Sequence, residues 1–547
     1  MTTAGLAETV TWGPPTKATL GSVLAARAAE RPDKVCLTFE DGPVTYRQLD
    51  ESTNAVANSL ARLGVRAGDR VAVFMPNSRA VVEAWFAVAK LGGIYVGVNT
   101  AYVGDYLRHQ LATAGCKVVI TDAGLGERIR AVAGGVPSLE HVVIADGDES
   151  EKLTMADLRS APGDRLETER DARWDDPCAI QYTAGTTGPS KGALITQNYL
   201  LRSSELLRGQ MAMEEHHVAY TPLPLFHLNA MICTILPAIL SGASAVIDTW
   251  FSVSRYWDHV RRHGATHISL LGPMMVMLWN QPRGDDDAAN SVEVMLCAPV
   301  PTDIHRPFEE RFGLDIVTAY GLSEAVPILL SLPTPPGFAG RPSPVFDVRL
   351  FDDDDQEVPA GEVGEIVCRP REPHVMFEGY FNNPEATVGM WRNLWFHTGD
   401  LGRFDADGNL SFVDRQKDYI RRRGENISSF DVEQAVVRHP AVTDAAAVAV
   451  RSELTEDEVK ICVTVRPDTP VTHEDLLAHC IEHIPYFAVP RYIEIVDELP
   501  RTPSGRVEKY RLRDAGVTEA TWDCEAAGYH VTRTVRSLDD AREGATR

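Results

Sequence analysis

The first half of the chain alternates strand and helix patterns, and this order restricts the folds open to it. An apolar run at 70–75 predicts a buried strand, and a helical pattern capped by Ser78 follows and ends at Leu91. The helix predicted at 105–114 leads in the same way into a strand at 116–121. Because strands that alternate with helices form parallel sheets with crossover helices, the pattern predicts an α/β fold of doubly wound sheets.

The pattern changes twice further along the chain. After Val345 short strands alternate with Gly and Asp turns, which predicts a small barrel-like subdomain. Beyond residue 418 the chain begins again with a helix at 429–439, and the strands and helices that follow are typical of a compact α+β unit. A chain of 547 residues exceeds what one hydrophobic core supports, so more than one domain is expected. We expect the polar residues after 532 to fray.

Composition excludes several classes of protein. The chain is 44% hydrophobic and 24% charged, which is ordinary for a soluble globular protein. A net charge of −24 disfavours nucleic acids and anionic membranes as partners. Apolar runs stay below the ~18 residues that a membrane helix needs, and the first residues lack the pattern of a signal peptide. The nine cysteines form no paired motif, so we expect a protein of the reducing cytoplasm.

A glycine-rich stretch lies between two predicted strands. Residues 182–192 read YTAGTTGPSKG, with glycines that let the backbone approach a ligand, threonine hydroxyls and the charge of Lys191. Successive free N–H groups in such a turn form a nest for phosphate oxygens. The strand on each side and the spacing both differ from a Walker P-loop. For an isolated stretch the alternative is a surface turn rich in small residues.

The stretch resembles the phosphate loop of the adenylate-forming superfamily, which includes acyl-CoA synthetases, aryl-CoA ligases, luciferases and peptide-synthetase adenylation domains. It departs from the family pattern at Ala184, where a serine is usual, and at Pro189-Ser190, where the order is inverted. The resemblance implies nucleotide binding by a set of loop residues. They are Thr183, Gly185, Thr186, Thr187, Gly188 and Lys191.

Two further motifs follow in the family's order. Residues 318–324 read TAYGLSE, which resembles the family's adenine motif, and the resemblance implies that Glu324 holds Mg²⁺ together with Thr186. It also implies nucleotide contacts for Thr318, Ala319, Tyr320, Gly321 and Ser323, with Gly321 bordering the acyl group as well. Residues 395–402 read WFHTGDLG, in which Asp400 would accept both ribose hydroxyls and Arg415 would add a second ribose contact. The alternatives are a capped helix start and an ordinary turn aspartate.

The acyl group has its own candidate residues. Residues 222–227 read PLPLFH and resemble the gate of the family's acyl pocket, which assigns Phe226 and His227 to it. Peptide-synthetase domains have an aspartate where His227 stands, so an amino-acid substrate is disfavoured. Met274 and Met275 are predicted to border the acyl pocket, because methionine adapts to bulky substrates. The alternative for both is plain core.

The family's hinge and CoA sites map onto the region that follows Arg415. Lys417 falls at the hinge about which the small domain rotates between the two half-reactions. The resemblance assigns CoA binding to Arg421, Arg422, Arg423, Gly424 and Glu425. A run of three arginines in so acidic a protein also indicates a phosphate site. A solvated charged loop is the alternative for any one of these arginines.

Two departures concern the first half-reaction. Residues 296–299 read LCAP where the family has two glycines before Ala298 and Pro299, both predicted to contact the nucleotide. Arg506 stands where the family has a catalytic lysine that joins substrate carboxylate and ribose. A guanidinium is wide and planar, and losing a positioned donor costs about 10²–10³ in rate. Lys509 could replace that lysine only if its loop slipped.

These observations combine into one prediction. The domains are residues 1–415, a hinge at 416–418 and a mobile domain at 419–547. The resemblance implies a CoA ligase for a bulky hydrophobic carboxylic acid, with CoA, ATP or acyl-AMP, and Mg²⁺. Adenylation is predicted to be weak and thioester formation intact, so a separate adenylating enzyme would supply acyl-AMP, as in pathways with paired ligases such as those of platensimycin-type diterpenoids. The alternatives are a full two-step synthetase, a non-catalytic nucleotide-binding protein and a luciferase-like oxygenase.

Overall fold

The structure is a computed structural model, and it describes most of the chain. The described residues are 17–147, 151–168, 170–183, 190–331, 335–352, 354–415, 419–422, 425–452, 457–467, 469–500, 507, 509–535 and 537–543. They divide into two compact units. Unit 1 takes the described residues of Met1–Thr100, Leu111–Gln181 and Gly192–Asp414, and unit 2 takes those of Ala101–Gln110, Tyr182–Lys191 and Arg415–Arg547.

The helices are numbered in chain order. They are α1 (Leu20–Glu30), α2 (Tyr46–Arg62), α3 (Arg79–Lys90), α4 (Gly104–Ala114), α5 (Ala123–Ala133), α6 (Met155–Arg159), α7 (Gln197–Gln210), α8 (Leu228–Ala230), α9 (Leu236–Ser241), α10 (Tyr256–His263), α11 (Gly272–Trp279), α12 (His305–Phe312), α13 (Pro384–Gly389), α14 (Ser429–Val437), α15 (His473–His483), α16 (Lys509–Ala515) and α17 (Leu538–Glu543). A π-helical turn at Met231–Ile235 joins α8 to α9, and a 3₁₀ turn at Thr302–Ile304 precedes α12.

The strands up to residue 415 are β1 (Val35–Phe39), β2 (Gly42–Thr45), β3 (Arg70–Phe74), β4 (Ile94–Gly97), β5 (Val118–Thr121), β6 (His141–Ile144), β7 (Pro177–Thr183), β8 (Lys191–Thr196), β9 (Val218–Thr221), β10 (Ser244–Ile247), β11 (His267–Leu271), β12 (Val294–Ala298), β13 (Asp315–Val317), β14 (Ala319–Leu322), β15 (Ala325–Leu330), β16 (Arg341–Pro342), β17 (Phe346–Phe351), β18 (Val363–Pro370), β19 (Trp391–Arg392), β20 (Trp395–Phe404) and β21 (Leu410–Arg415). The strands after residue 415 are β22 (Tyr419–Arg422), β23 (Glu425–Ser428), β24 (Val442–Arg451), β25 (Asp457–Val465), β26 (Tyr492–Ile495) and β27 (Trp522–Asp523).

Two sheets of mainly parallel strands form the body of unit 1. One has the strand order β13-β12-β11-β9-β10-β1-β2 and the other β6-β5-β3-β4-β7-β8. Strands such as β4 and β5 are buried along their whole length, as expected when helices cover both faces of a parallel sheet. The α/β class predicted from the alternating pattern is confirmed.

One detail of the helix prediction is wrong. The helix predicted from Ser78 to Leu91 is α3, and Ser78 precedes it in an extended conformation. Its side chain, however, makes no capping hydrogen bond with any described residue, and its hydroxyl is buried. Eleven of the twelve residues of α3 are buried, Trp85 and Phe86 among them, so packing stabilises this helix more than its cap does.

A third sheet of unit 1 is antiparallel and stands where the small barrel was predicted. Its strand order is β17-β18-β20-β19, and β21 also pairs with β20. A short sheet with the order β14-β15-β16 lies before it in the chain. These sheets carry the residues of both family motifs at 318–324 and 395–402, so they position the candidate nucleotide site.

Unit 2 is built on the sheet β24-β25-β26-β27 with a two-stranded ribbon of β22 and β23. Its core is formed by apolar side chains of the sheet and of the helices α14 and α15, among them Val432, Val459, Ile461 and Leu477. The elements after residue 428 lie within a few residues of the predicted ones.

The prediction that the chain frays after residue 532 is wrong for the described residues there. Val535 and Ala541 are 5% and 0% exposed, and α17 ends the described chain. The N–H of His530 donates to the carbonyl oxygen of Ala541 at 2.8 Å. A few buried apolar side chains, among them Val535 and Ala541, pack into the core of unit 2. They are too few to change the polar average composition of the segment, so the composition did not reveal them.

Two smaller findings concern the whole described chain. All nine cysteines lie within it, and each is buried with a free thiol. None of the described helices is both long enough and apolar enough to cross a membrane.

The acid Asp431 gives unit 2 a distinct dependence on pH. Burial raises the pKa of its carboxyl group, in the first turn of α14, to about 7 from an ordinary value of 3.8. Between these two values the folded state binds more protons than the unfolded state. The stability contributed by this group is therefore complete below pH 3.8 and is lost as the pH rises through about 7.

We expect Asp431→Asn to remove this pH dependence, because an amide has nearly the shape of the neutral acid and does not ionise. Differential scanning calorimetry should show a melting temperature close to wild type near pH 5 and above it near pH 8. The control is Asp497→Asn, which changes an exposed aspartate of the same unit and should shift both values alike. The prediction would be contradicted if the difference in melting temperature between Asp431→Asn and wild type were the same at both pH values.

Candidate active site

The ends of the glycine-rich loop are held by their own neighbours. A strand lies on each side of the loop, as predicted, and each extends two residues further into it: β7 ends at Thr183 and β8 begins at Lys191. The hydroxyl of Thr183 donates to the carbonyl oxygen of Lys191 at 3.4 Å, and that of Tyr182 donates to the carbonyl oxygen of Gln110 at 3.1 Å. The predicted phosphate ligands between these strands lie outside the described residues; they are Gly185, Thr186, Thr187 and Gly188.

The predicted acyl gate packs against the ends of two parallel strands. Nε2 of Gln181, on β7, donates to the carbonyl oxygen of Phe226 at 2.8 Å. A side chain at Gly97, the last residue of β4, would place its Cβ 2.8 Å from Cα of Phe226, so only glycine fits there. The rings of Phe226 and His227 contact edge to face at 4.7 Å, directly before α8. The gate is therefore fixed at the carboxyl edge of the sheet.

Asn77 fixes the loop that carries the gate, and the sequence did not single it out. Its Nδ2 donates to the carbonyl oxygens of Leu223 at 2.8 Å and Asp248 at 3.0 Å. Its Oδ1 accepts the N–H of Leu225 at 2.8 Å. An amide that is 7% exposed and satisfied on both sides costs little to bury. A polar residue just beyond the carboxyl end of β3 was the only signal in the sequence.

The predicted acyl-pocket methionines are buried on α11. Met274 is 8% exposed and Met275 is 0% exposed. The sulfur of Met275 lies 3.8 Å from that of Cys297. On β11, which directly precedes α11, the hydroxyl of Ser269 donates to Oδ1 of Asn229 at 2.7 Å. Both methionines belong to the hydrophobic core of unit 1.

The departure at 296–299 comprises the last three residues of β12 and the proline that follows it. Leu296 and Cys297 are 2% and 0% exposed, so both side chains are buried in unit 1. Ala298 ends the strand, and Pro299 follows it. A Cβ at Gly272 would lie 2.6 Å from the carbonyl oxygen of Pro299, so the start of α11 approaches this turn closely.

The adenine and ribose motifs meet in the structure. The hydroxyl of Tyr320, on β14, donates to Oδ2 of Asp400, on β20, at 2.8 Å, although the two are 80 residues apart. Asp400 is 2% exposed, and the ring of Tyr320 lies 6.4 Å from that of Phe412. Arg415 ends β21, where the structure describes its backbone. The side chains assigned separately to adenine and ribose thus form one cluster.

The residues around Tyr320 are held by backbone contacts. The N–H of Thr318 donates to Oγ of Ser331 at 2.9 Å, and Ala319 pairs with Leu330 across β15. Gly321 lies at an irregularity of the register, where a Cβ would be 2.6 Å from the carbonyl oxygen of Ala325. The requirement for glycine there is steric.

The predicted metal ligand Glu324 has a tyrosine partner that the sequence did not reveal. Oε1 of Glu324 accepts the hydroxyl of Tyr380 at 2.6 Å. The hydroxyl of Tyr199 donates to the carbonyl oxygen of Ser323 at 3.1 Å. Burial, with the nearby charge of Glu324, raises the pKa of Tyr199 well above its ordinary value. The carboxylate is thus oriented before any ligand arrives.

The donor set fits Mg²⁺ as a partner of phosphate. Mg²⁺ takes oxygen ligands and usually keeps one or two protein carboxylates alongside water and phosphate. Glu324 supplies one such carboxylate and is 7% exposed. In the described part of the chain no group of three or more His, Cys, Asp or Glu residues could hold a metal ion by itself.

The candidate residues of unit 2 have different surroundings. Arg422 is 3% exposed, and its Nη1 donates to the carbonyl oxygens of Phe487 at 3.2 Å and Val489 at 2.7 Å. Arg421 and Glu425 are partly exposed on β22 and β23. The remaining predicted residues of this region lie outside the described residues; they are Lys417, Arg423, Gly424 and Arg506.

Lys509 is bound to the first turns of α14. Its Nζ lies 2.6 Å from Oε1 of Glu433 and donates to Oγ of Ser429 at 2.8 Å. Both the lysine and the glutamate side chains are less than a fifth exposed, at 17% and 14%. A slip of the loop that carried Lys509 elsewhere would break these bonds.

The comparisons with known proteins agree with this geometry. The family model of AMP-binding enzymes matches residues 24–381, and that of the AMP-binding enzyme C-terminal domain matches residues 431–506. The sulfoacetate–CoA ligase of Cupriavidus necator is 30% identical, over 90% of this chain and 97% of its own. The crotonobetaine/carnitine–CoA ligase of Salmonella arizonae is also 30% identical, over 88% and 96%.

Solved structures show the same relationship. A double mutant of the o-succinylbenzoate CoA synthetase of Bacillus subtilis, bound with its product analogue OSB-NCoA, matches with a TM-score of 0.78 at 25% identity, over 91% of this chain and 99% of that chain. The anthranilate CoA ligase in complex with anthranoyl-AMP matches with a TM-score of 0.70 at 25% identity, over 93% and 98%. The predicted superfamily is confirmed: this chain belongs to the AMP-binding enzymes, and CoA ligases are among its relatives.

Proposed function

We propose that this enzyme is an acid–thiol ligase that forms the CoA thioester of a bulky hydrophobic carboxylic acid through an acyl-adenylate. The hydrogen bond between Tyr320 and Asp400 carries the proposal, because it joins the adenine and ribose motifs in one buried cluster. The relatives named above are CoA ligases over nearly their whole length, which supports the same reaction class.

The proposed chemistry has two steps. A carboxylate oxygen of the acid attacks the α-phosphorus of ATP, and pyrophosphate leaves, which gives acyl-AMP. The thiolate of CoA then attacks the acyl carbonyl carbon, and AMP leaves with the electron pair of the broken C–O bond. When bound, Mg²⁺ neutralises charge on the nucleotide phosphates.

Asp400 and Tyr320 would bind the adenosine in both steps. A carboxylate accepts two hydroxyl protons at once, so Asp400 suits the ribose diol. Tyr320 holds one carboxylate oxygen and presents its ring beside it. Glu324 and Thr186 would hold Mg²⁺, and the loop from Thr183 to Lys191 would bind phosphate.

The proposed substrate is apolar because most of the candidate acyl side chains are. Met274 and Met275 are buried, and Phe226 at the gate is apolar as well. His227 provides no carboxylate for an α-ammonium group, which disfavours amino acids. The substrates in the relatives' names include polar acids as well as aromatic ones, so the acid itself has to be identified by experiment.

For CoA, the proposal relies on Arg421, Arg423, Gly424 and Glu425. The guanidinium of Arg422 is committed to the backbone of Phe487 and Val489. Within the triple-arginine run, phosphate binding therefore falls to the other two.

We further propose that the adenylation half is weak and that acyl-AMP is supplied by a separate enzyme. Arg506 has the width and charge distribution of a guanidinium in place of a point charge. Lys509, the next cation along the chain, is held by Glu433 and Ser429, so it supports α14 instead. Formation of the thioester does not use the replaced lysine.

The direct test offers the purified enzyme both activated forms. Acid, ATP and Mg²⁺ should release little pyrophosphate, whereas synthetic acyl-adenylate and CoA should give thioester, followed by intact mass over a panel of acids. Rapid pyrophosphate release would support the full two-step synthetase instead. Binding of AMP without thioester from any adenylate would indicate a non-catalytic protein.

We expect Arg506→Lys to restore adenylation, because it returns a compact ammonium to the family's position. Pyrophosphate release should rise by about 10²–10³, the effect of one positioned donor, while thioester formation from acyl-adenylate stays unchanged. The control is Arg513→Lys, an exposed arginine on α16. Equal rates for Arg506→Lys and wild type would contradict the proposal of a weak adenylation half.

We also expect Tyr380 and Glu324 to be energetically coupled. Tyr380→Phe removes the O–H donor and leaves a buried carboxylate with one fewer hydrogen bond, which should lower the free energy of unfolding by about 1–3 kcal/mol. Urea unfolding of Tyr380→Phe, Glu324→Gln and the double variant gives the coupling energy. Additive effects of the two substitutions would show that the 2.6 Å contact does not stabilise the protein.

A further inference from the structure

The ribose motif is a bulge in an otherwise regular sheet. Where β18 pairs with β20, Val367 lies opposite His397, but Glu365 lies opposite Leu401. Ile366 alone therefore faces three residues of β20, which are 398–400. Gly399 has a φ of +74°, a left-handed conformation that favours glycine. Bulges of this kind re-aim side chains and leave backbone groups without their usual ladder partners.

Side chains replace the missing ladder bonds at this bulge. Oε1 of Glu365 accepts the N–H of Gly399 at 3.0 Å. The hydroxyl of Thr398 donates to the carbonyl oxygen of Ile366 at 2.7 Å and accepts the N–H of Asp400 at 3.1 Å. The bulge is thus held at its central residue by a carboxylate from the neighbouring strand.

The second oxygen of Glu365 has its own partners. Oε2 lies 2.8 Å from Nδ1 of His397 and 3.3 Å from Nη2 of Arg392. Arg392 also binds the carboxylate of Asp355, at 2.9 Å. Glu365 and His397 are 5% and 4% exposed. Because a buried carboxylate needs donors and a compensating charge, this network keeps Glu365 in one orientation.

We propose that Glu365 is a positioning residue for nucleotide binding. By holding the N–H of Gly399 with one oxygen and His397 with the other, it sets the shape of the bulge. That shape directs the carboxylate of Asp400 to the hydroxyl of Tyr320, 2.8 Å away, and to the ribose diol. The inference rests on the proposed function, in which Asp400 binds the ribose.

The chemistry of the site explains why a glutamate stands there. Both of its oxygens accept hydrogen bonds, so an amide would turn one acceptor into a donor that faces either an N–H group or His397. An aspartate keeps both acceptors but is shorter by one methylene and cannot reach both partners. Glu365→Gln and Glu365→Asp thus disturb the bulge by different means.

The experiment compares AMP with 2′,3′-dideoxy-AMP by isothermal titration calorimetry of the full chain. Wild type should prefer AMP, because only AMP offers the diol to Asp400. Glu365→Gln should lower the affinity for AMP by about tenfold, as expected for a hydrogen bond to a charged group. The affinity for the dideoxy compound should fall by less than about twofold. The control is Glu362→Gln, which changes an exposed glutamate directly before β18 and should leave both affinities unchanged.

The outcomes distinguish a failure of the positioning role of Glu365 from a failure of the proposed ribose contact of Asp400. If wild type does not prefer AMP, or if Asp400→Asn keeps the preference, the proposed ribose contact is wrong. If Asp400→Asn abolishes the preference for AMP but Glu365→Gln keeps it, or lowers the affinity for both ligands equally, the positioning role is overturned. Non-additive effects of Asp400→Asn and Glu365→Gln on the affinity for AMP in the double variant support the positioning role. Should Glu365→Gln not fold, Glu365→Asp carries the same comparison.

Discussion

The carboxylate of Asp400 is almost completely buried, and the candidate site depends on how that charge is held. An ionised group removed from water is costly unless donors surround it. Here the hydroxyl of Tyr320, from a strand 80 residues away, donates to the carboxylate, while the N–H of Asp400 donates to the hydroxyl of Thr398 within the bulge. The side chain that we propose to bind the ribose is therefore oriented by the protein before a nucleotide arrives, so it would lose little conformational freedom on binding.

The same principle recurs at each acid near the site. Glu324 is held by Tyr380, and Glu365 by the N–H of Gly399, by His397 and by Arg392. Each pair links segments more than 25 residues apart: Glu324 joins the turn between β14 and β15 to the segment before α13, and Glu365 joins β18 to β20. With the roles proposed above, function and stability depend on the same bonds, and for that reason a test of Glu365 has to use two ligands that differ only in the ribose.

The sequence predicted the fold and the motif residues but not their supports. Buried strands such as β5 appear as continuous apolar runs, and YTAGTTGPSKG, TAYGLSE and WFHTGDLG can be recognised because they occur together in the family's order. Asn77, Glu365 and Tyr380 carry no such signal, because their roles arise from contacts with residues 146, 34 and 56 positions away. The tail after residue 532 was mispredicted for a related reason: a few buried side chains outweigh an average polarity.

The difference between the side chains of Lys509 and Arg506 bears most directly on the proposed reaction. Lys509 is a compact ammonium, but Glu433 and Ser429 already bind it at 2.6 and 2.8 Å. Moving it into an active site would leave the partly buried Glu433 without that partner, which is costly. In the proposed function, Arg506 is the cation at the catalytic position, and the charge of a guanidinium is spread over a planar fork. The residues proposed to bind ribose and adenine are retained, whereas the charge proposed to assist departure of pyrophosphate has a different shape. This combination is the reason for our proposal that the chain favours the step in which AMP leaves over the step in which pyrophosphate leaves.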